Sequence, residues 1–230
     1  MITSLQPLSK LNLTTAPVAV GFLDSPPQGL RRVDKPAPAG CGYWKLASEG
    51  QAFYTTADDH QNCLVGAFTH GVTLPPAKAE ELQSLVGMMI ELKYLIADEV
   101  PGIPHRAQPM QIAAYAPLDR ATFAADVVVF RGNAKQIMLL SEAARAAGAF
   151  EAGTAMGRPA CAVLPHAIGS GASVASVGCI GNRVYTGMSD NELYLAVLAA
   201  LEATLAKLDT ILTANAQLEA FHRRRAAALS

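Results

Sequence analysis

Short apolar runs ended by glycine, proline or acidic residues predict the strands of this protein. The clearest run covers residues 126–131 and holds three consecutive valines, and valine is enriched in strands. Four further runs share this pattern and lie at residues 18–23, 51–56, 111–116 and 173–177. Strands this short fit parallel and antiparallel pairing equally well. The pattern therefore predicts a sheet but leaves its strand order open.

Apolar residues spaced three and four positions apart predict the helices. One helix is expected at about residues 77–97, where two prolines suit its start and Pro101 follows its end. A second is expected at about 134–147, capped by Asn133 and stopped by Gly148. Ser189 and Glu192 have the spacing of a capping box, which predicts a long helix over 190–227. Short helices are expected at 43–48 and 62–69, after a loop rich in proline and glycine at 34–42.

These elements predict an α/β fold, with a mixed α+β fold as the alternative. We expect residues 1–230 to form a single domain with a central sheet, flanking helices and a long C-terminal helix. Each half also contains a strand, a helical stretch, a glycine, a phenylalanine and a cysteine, and the interval from glycine to cysteine is the same. An internal repeat of about 8–72 and 110–188, with pseudo-twofold symmetry, would make Cys63 and Cys161 equivalent and turn both towards a common cleft.

Composition and charge limit the kinds of partner that the chain is expected to bind. Half of the residues are hydrophobic, which excludes intrinsic disorder. The formal net charge of −1 is spread along the chain and predicts no nucleic-acid partner. The basic run at 222–225 suits a solvated helix C-terminus, and contact with RNA or an anionic membrane is the alternative.

The sequence shows no signal-peptide pattern and no apolar run of about 18 residues, so we expect a cytoplasmic protein without a membrane partner. The predicted C-terminal helix carries a leucine seam. Its members alternate spacings of three and four, and are Leu198, Leu201, Leu205, Leu208 and Leu212. Packing on the protein's own sheet explains the seam, and a homo-oligomer through this helix is the alternative.

The four cysteines are Cys41, Cys63, Cys161 and Cys179. In a reducing compartment, cysteines more often bind metals or catalyse reactions than form disulfides. No pair has the close C-x-x-C spacing of a zinc ribbon or a ferredoxin, so the fold would have to assemble any shared site. Thiolate ligands favour an iron–sulfur cluster or zinc. The alternative is a structural role, since free cysteines are often buried; Cys161 lies in an apolar run and suits it best.

Residues near two of the cysteines offer further chemistry. His60 and Cys63 would lie one helical turn apart, so they could share a metal, or the imidazole could hold the thiol as thiolate. The alternative is an ordinary turn in which Asp58 or Asp59 caps a helix. A cysteine-dependent enzyme that uses Cys63 or Cys179 with His60 is therefore a second functional hypothesis.

The segment 178–183 follows a predicted strand, contains two glycines and ends at Arg183. Its amides, including that of Gly181, together with the guanidinium group could bind a phosphate or carboxylate; the alternative is that Arg183 pairs with Asp190 or Glu192. This small-anion-binding module without catalysis is the third hypothesis. Trp44 could form a wall of a ligand pocket or lie in the core. His166 with 169–171 could form a mobile cover, although a surface histidine in a polar loop explains it as well.

Several segments together resemble a known family. They read PVAV at 17–20, CGYWK at 41–45, HQNC at 60–63, GRPAC at 157–161 and GCIGNR at 178–183, with Tyr185, Gly187 and Glu192 beyond. They are similar to the uncharacterised ArCR family, domain of unknown function 169, over about residues 8–212. All four cysteines fall in matching segments. The resemblance implies a metal or iron–sulfur role for them and assigns no reaction or substrate.

The leading hypothesis from the sequence is that the four cysteines bind a metal centre, with an iron–sulfur cluster favoured over zinc because the count of four fits a complete ligand set. His60, Trp44, Gly181 and Arg183 are expected to lie near a bound ligand. An unidentified small molecule is a further expected partner.

Overall fold

The computed structural model describes residues 5–155, 159–197 and 200–229. Over these residues eight strands form one mixed sheet with the order β2-β3-β4-β1-β5-β8-β7-β6. The strands are β1 (Val18–Leu23), β2 (Arg31–Arg32), β3 (Phe53–Thr56), β4 (Ile112–Pro117), β5 (Val127–Asn133), β6 (Phe150–Ala155), β7 (Ser173–Ser176) and β8 (Glu192–Val197). The predicted α/β class with a central sheet and flanking helices is confirmed.

The sheet has the same arrangement on both sides of its centre. β1 and β5 pair antiparallel in the middle. Outward from β1 come β4, β3 and β2, and outward from β5 come β8, β7 and β6. The outermost pair of each half is parallel, whereas the other pairs are antiparallel. Each half therefore reads first, fourth, third and second strand from the centre to the edge.

Helices cover both faces of the sheet. They are α1 (Gln6–Ser9), α2 (Gly40–Ser48), α3 (Leu64–Thr69), α4 (Pro76–Glu91), α5 (Ala134–Ala146), α6 (Val163–Ser170), α7 (Ile180–Thr186) and α8 (Leu201–Leu229). Alternate residues of β5 divide the core between the two faces: Val127 and Val129 pack with α2, α3 and α6, while Val128 and Phe130 pack with α1, α5 and α8. α7 contacts α2 on the first face.

Some predicted boundaries are confirmed and others are wrong. α5 begins after Asn133, whose side chain accepts a hydrogen bond from the Gln136 amide at 2.9 Å, as predicted. The helix predicted to reach residue 97 ends at Glu91, because Lys93 takes a left-handed φ of 59°. The loop predicted at 34–42 gives way to α2 at Gly40, so Cys41 lies in a helix.

The capping-box pattern at Ser189 and Glu192 does not begin a helix. The Glu192 carboxylate accepts from the Ser189 amide at 2.8 Å and also pairs with Arg131 at 2.6 Å, but the residues that follow form β8. This apolar run is buried between β5 and β7, and the long C-terminal helix begins only at Leu201. Leu201, Leu205 and Leu208 are buried against the protein's own core, while Leu198 lies outside the described residues.

None of the described helices combines the length and the hydrophobicity needed to cross a membrane.

Candidate functional site: a cavity lined by four cysteines

A cavity of about 1040 Å³ lies between the core and helix α4, on the face covered by α2 and α3. Cys41, Cys63, Cys161 and Cys179 all line it. Cys41 and Cys161 belong to the hydrophobic core beneath the cavity, and Cys63 packs against that core. The fold thus brings together thiols from four segments that are distant in the sequence. We call the wall that contains these residues the cysteine wall.

Each thiol stands where a helix or a turn begins. Cys41 lies in the first turn of α2, and Cys161 lies in the 3-10 turn Ala160–Ala162 that leads into α6. Cys63 and Cys179 are the N-cap residues of α3 and α7. Their sulfur atoms each accept a hydrogen bond from a backbone amide at 3.4 Å, from Gly66 and Asn182 respectively. An N-cap residue has extended backbone and turns its side chain to the free amides of the first turn.

The strand order makes different cysteines equivalent in the two halves from those that the sequence predicts. Cys41 and Cys161 each lie between the second and third strands of their half, whereas Cys63 and Cys179 each lie between the third and fourth. The predicted equivalence of Cys63 with Cys161 is therefore wrong. The equal intervals misled because Gly50 follows α2 while Gly148 follows α5, and α5 has no helical counterpart between β1 and β2.

Burial keeps two of the thiols protonated. It raises the pKa of Cys41 to about 12, and charges on Cys63 and Cys179 would raise it further, while a hydrogen bond with Asn182 opposes the rise. Burial also raises the pKa of the Cys161 thiol well above its usual range, although its sulfur accepts a hydrogen bond from Thr69 Oγ1 at 3.2 Å. A protonated thiol is a poor nucleophile, whereas a thiolate is a good one. A bound metal would reverse this balance, because a coordinating thiol is deprotonated.

The absence of a side chain at Gly66 leaves room for the sulfur atom of Cys63. A Cβ atom added to Gly66 would stand 2.9 Å from Cys63 Sγ, a distance too short for that contact. Glycine therefore allows the amide of residue 66 to approach the sulfur without steric conflict. Gly181 and Cys179 both line the cavity, and the predicted role of the Gly181 amide in ligand binding stays a prediction.

The His60 side chain packs in the core, and its contacts are with Thr55, Tyr43 and His70 rather than with Cys63. Its Nε2 lies 2.8 Å from Thr55 Oγ1, and its ring packs on Tyr43 and, at 5.5 Å between centroids, on His70. The predicted Cys–His pair is not formed among the described residues, where the amide of Gly66 is the partner of the Cys63 sulfur. Asp59 instead completes a capping box with Thr56, as the alternative interpretation predicted.

Trp44 and Arg183 also have structural surroundings. Trp44 is buried in the core and packs edge-on against Tyr194 with 5.3 Å between ring centroids, beneath the cavity rather than in its described lining. Arg183 donates hydrogen bonds to the carbonyls of Val177 and Ser189 at 2.6 and 2.7 Å, and lies 3.8 Å from the Asp190 carboxylate. Its guanidinium group thus holds the two ends of the α7 segment together, which agrees with the structural alternative.

The expected mobile cover is helical. His166, Gly169 and Ser170 belong to α6, and Gly171 ends that helix in the left-handed conformation. Arg158, in the segment that precedes Cys161, lies outside the described residues. Across the described part of the chain, no three or more His, Cys, Asp and Glu residues are grouped so that they could hold a single metal ion.

The outer wall of the cavity was missed by the sequence interpretation. It consists of the apolar stripe of α4, formed by Leu82, Leu85, Val86, Met89 and Ile90. The stripe is visible in the sequence, but the same periodicity is expected for a helix packed on the core. Thr69 and Asn182, which support Cys161 and Cys41, carried no signal because their contacts depend on the fold.

The fold and the cavity define a mixed α/β protein with a cysteine-lined cavity on one face of its sheet. The model of the family called domain of unknown function 169, described as uncharacterised ArCR, matches residues 8–206, so the chain belongs to this family. The resemblance seen in the sequence is confirmed. Comparisons with curated proteins and with solved structures gave no significant match.

Proposed function

We propose that this protein binds an iron–sulfur cluster through Cys41, Cys63, Cys161 and Cys179. The observation that carries the proposal is that all four thiols, from four separate segments, line one cavity. Four cysteine thiolates are the complete ligand set of common iron–sulfur clusters. Free cysteines are commonly buried as small apolar residues, and here all four line one cavity.

The surroundings of the thiols suit such a centre. Hydrogen bonds to cluster sulfurs tune the reduction potential, and the amides of Gly66 and Asn182 already donate to Cys63 and Cys179. The core beside Cys41 and Cys161 is apolar, which limits access of water. Because the four sulfurs face one cavity, their charges would repel one another until a cation neutralises them.

An iron–sulfur cluster and a single zinc ion require different distances between the thiols. The ligands of one tetrahedral zinc lie about 4 Å apart, given Zn–S bonds of about 2.3 Å. A cluster spreads its ligands further, since each iron takes its own thiolate. The four cysteines share one cavity of about 1040 Å³, which has room for the larger of the two centres, and zinc is the second candidate.

A bound cluster would supply electron transfer, or a Lewis-acid iron if one ligand is exchanged. The chain's own residues hold the sulfurs, donate hydrogen bonds to two of them and cover the cavity with α4. No substrate follows from these roles.

The test is anaerobic reconstitution of the purified chain with ferrous iron and sulfide, followed by iron and sulfide analysis and visible absorbance. We expect about two to four irons and an equal number of sulfides per chain, and loss of most of both in Cys63→Ser and Cys179→Ser. Val65→Ser is the matched control, since Val65 lines the same wall without a sulfur. Iron-free wild-type protein, or undiminished iron in both cysteine variants, would overturn the proposal.

A further inference from the structure

Helix α4 is an amphipathic helix without a packed core beneath it. Its apolar stripe runs at the helical spacing of residues 82, 85, 86, 89 and 90 and lines the cavity, yet none of its sixteen residues is buried. A surface helix normally owes its stability to an apolar face packed on other residues. Here the face looks onto space between the helix and the cysteine wall.

The cavity is large and opens to solvent at its mouth. Its volume of about 1040 Å³ lies just above the range of about 300–1,000 Å³ for small-molecule sites. Covering its apolar lining with a ligand would remove that surface from water, which is favourable. The four thiols occupy only one wall, so the outer part of the cavity has room for a second occupant.

The lining also defines the charge of that occupant. Apart from cysteine and tyrosine, the ionisable residue among the described lining residues is Glu81. Glu81 is exposed, and its carboxylate pairs with Lys78 Nζ at 2.7 Å. An anionic or cationic ligand would therefore lose its hydration without gaining a counter-charge from the described lining, a transfer that is strongly unfavourable.

The mouth of the cavity continues this apolar surface. Phe68, Leu92, Ile180 and Tyr185 line the cavity and are nevertheless exposed to solvent. Large apolar side chains grouped at one opening mark binding sites on soluble proteins. A ligand that enters between α4 and α7 would cover them.

From these observations we propose that the cavity between α4 and the cysteine wall binds an uncharged, predominantly hydrophobic small molecule. Apolar residues of α4 and of the mouth line the outer part of the cavity, so the inference does not require a bound cluster. The molecule contacts the stripe of α4 on one side and faces the cysteine wall on the other.

The first test is a fluorescence titration of the full chain with N-phenyl-1-naphthylamine, an uncharged apolar probe. Met89→Gln places a polar amide in the stripe, and Met88→Gln makes the same change one residue away, at an exposed position outside the described lining. We expect Met89→Gln to weaken probe binding at least tenfold and Met88→Gln to change it less than twofold. Equal effects of the two variants, or no saturable binding by the wild type, would overturn the proposal.

A second variant keeps the test decisive if Met89→Gln unfolds. Val65→Trp fills the cavity from the cysteine wall, so we expect it to raise the melting temperature and to weaken probe binding. Oleate and 8-anilinonaphthalene-1-sulfonate test the charge assignment, and each should bind at least tenfold more weakly than the neutral probe. Tighter binding of either anion would contradict an uncharged ligand. Iron content does not enter any of these readouts, so failure of the cluster proposal would be seen separately.

Discussion

At the scale of single residues, the cysteine wall depends on close contacts between sulfur atoms and the backbone. Cys63 and Cys179 accept amide hydrogen bonds at 3.4 Å, and the glycine at position 66 leaves room for one of them. Cys41 and Cys161 are instead buried, and burial raises their pKa values. The four thiols thus fall into two kinds, two hydrogen-bonded to amides at helix starts and two buried in the core.

Two glycine-to-alanine changes test this contact. In Gly66→Ala the new Cβ would meet Cys63 Sγ at 2.9 Å, so we expect a loss of about 1–3 kcal/mol in the free energy of unfolding. In Gly87→Ala on α4 the Cβ meets nothing within 4 Å, and alanine's helix propensity should stabilise the protein by about 0.5–1 kcal/mol. Urea unfolding measures both. A neutral Gly66→Ala would show that the sulfur does not need this space.

The sequence identifies the four cysteines of the candidate site but not the contacts that they make. The four cysteines were identified as candidates because thiols are rare and chemically distinctive. Their convergence on one cavity, however, results from strand pairings between segments far apart along the chain. His60 was misassigned to Cys63 because proximity in sequence did not show that its ring turns to Thr55 and the core.

At the scale of elements, the C-terminal helix α8 has two different halves. Its first half packs Leu201, Leu205 and Leu208 on α5 and the sheet. Its second half exposes Leu218 and Phe221, and Glu219 holds it to α5 through Lys135 at 2.7 Å. The seam predicted in the sequence therefore serves the protein's own core over its first half, while a homo-oligomer through this helix stays a prediction.

Matched leucine truncations distinguish the halves of α8. Leu208 is 0% exposed and Leu218 is 59% exposed. We expect Leu208→Ala to lower the free energy of unfolding by about 2–5 kcal/mol through the cavity it leaves, and Leu218→Ala to change it by less than about 0.5 kcal/mol. Chemical denaturation of both variants tests this. A large loss in Leu218→Ala would instead show that the second half is buried in an assembly, which analytical ultracentrifugation would then detect.

The sequence predicts a helix or strand correctly where local capping residues determine it. It predicts the element poorly where pairing with distant strands determines it. α5 was predicted because Asn133 and Gly148 are local signals that the structure uses. β8 was missed because Ser189 and Glu192 imitate a helix start, whereas the following apolar run takes its place between β5 and β7. Arg131 of β5 also pairs with Glu192 across the sheet, and a contact between such distant residues is invisible in a local pattern.

At the scale of the whole molecule, the symmetrical sheet explains why the cysteines meet. Cys41 and Cys161 hold corresponding places in the two halves, as do Cys63 and Cys179, and all four line the same cavity. The structural halves are β1 to β4 and β5 to β8, so β4 belongs to the first half and β8 to the second, unlike in the predicted halves 8–72 and 110–188. An internal duplication over about 18–117 and 127–197 would produce this arrangement, and we propose it as the origin of the fold. The register of the repeat was not visible in the sequence, because the inserted helices α4 and α5 stand at different places in the two halves.

A property of the whole fold follows from two buried imidazoles. Burial lowers the pKa of His60 from 6.5 to about 4 and that of His70 well below 6.5. As the pH falls, these two histidines are therefore protonated at a higher pH in the unfolded chain than in the folded one. We expect the free energy of unfolding to be highest above pH 6.5 and to decrease towards pH 4, by about 3 kcal/mol for His60 alone.

The measurement is urea denaturation of the metal-free protein between pH 7.5 and 4.5. His70→Gln should reduce the pH dependence by up to one proton, since it removes one of the groups that titrate in the unfolded state only. His222→Gln, at an exposed position of α8, is the matched control and should leave it unchanged. A pH dependence that His70→Gln does not alter would contradict the assignment.

Iron K-edge X-ray absorption on the anaerobically reconstituted protein tests most directly whether the cysteines hold a cluster. If the cysteine wall holds a cluster, the spectrum will show iron with sulfur neighbours at about 2.3 Å and iron–iron scattering, and both will be lost in the Cys63→Ser, Cys179→Ser double variant. Iron surrounded by oxygen or nitrogen, or a sulfur shell that survives the double variant, would contradict the central claim.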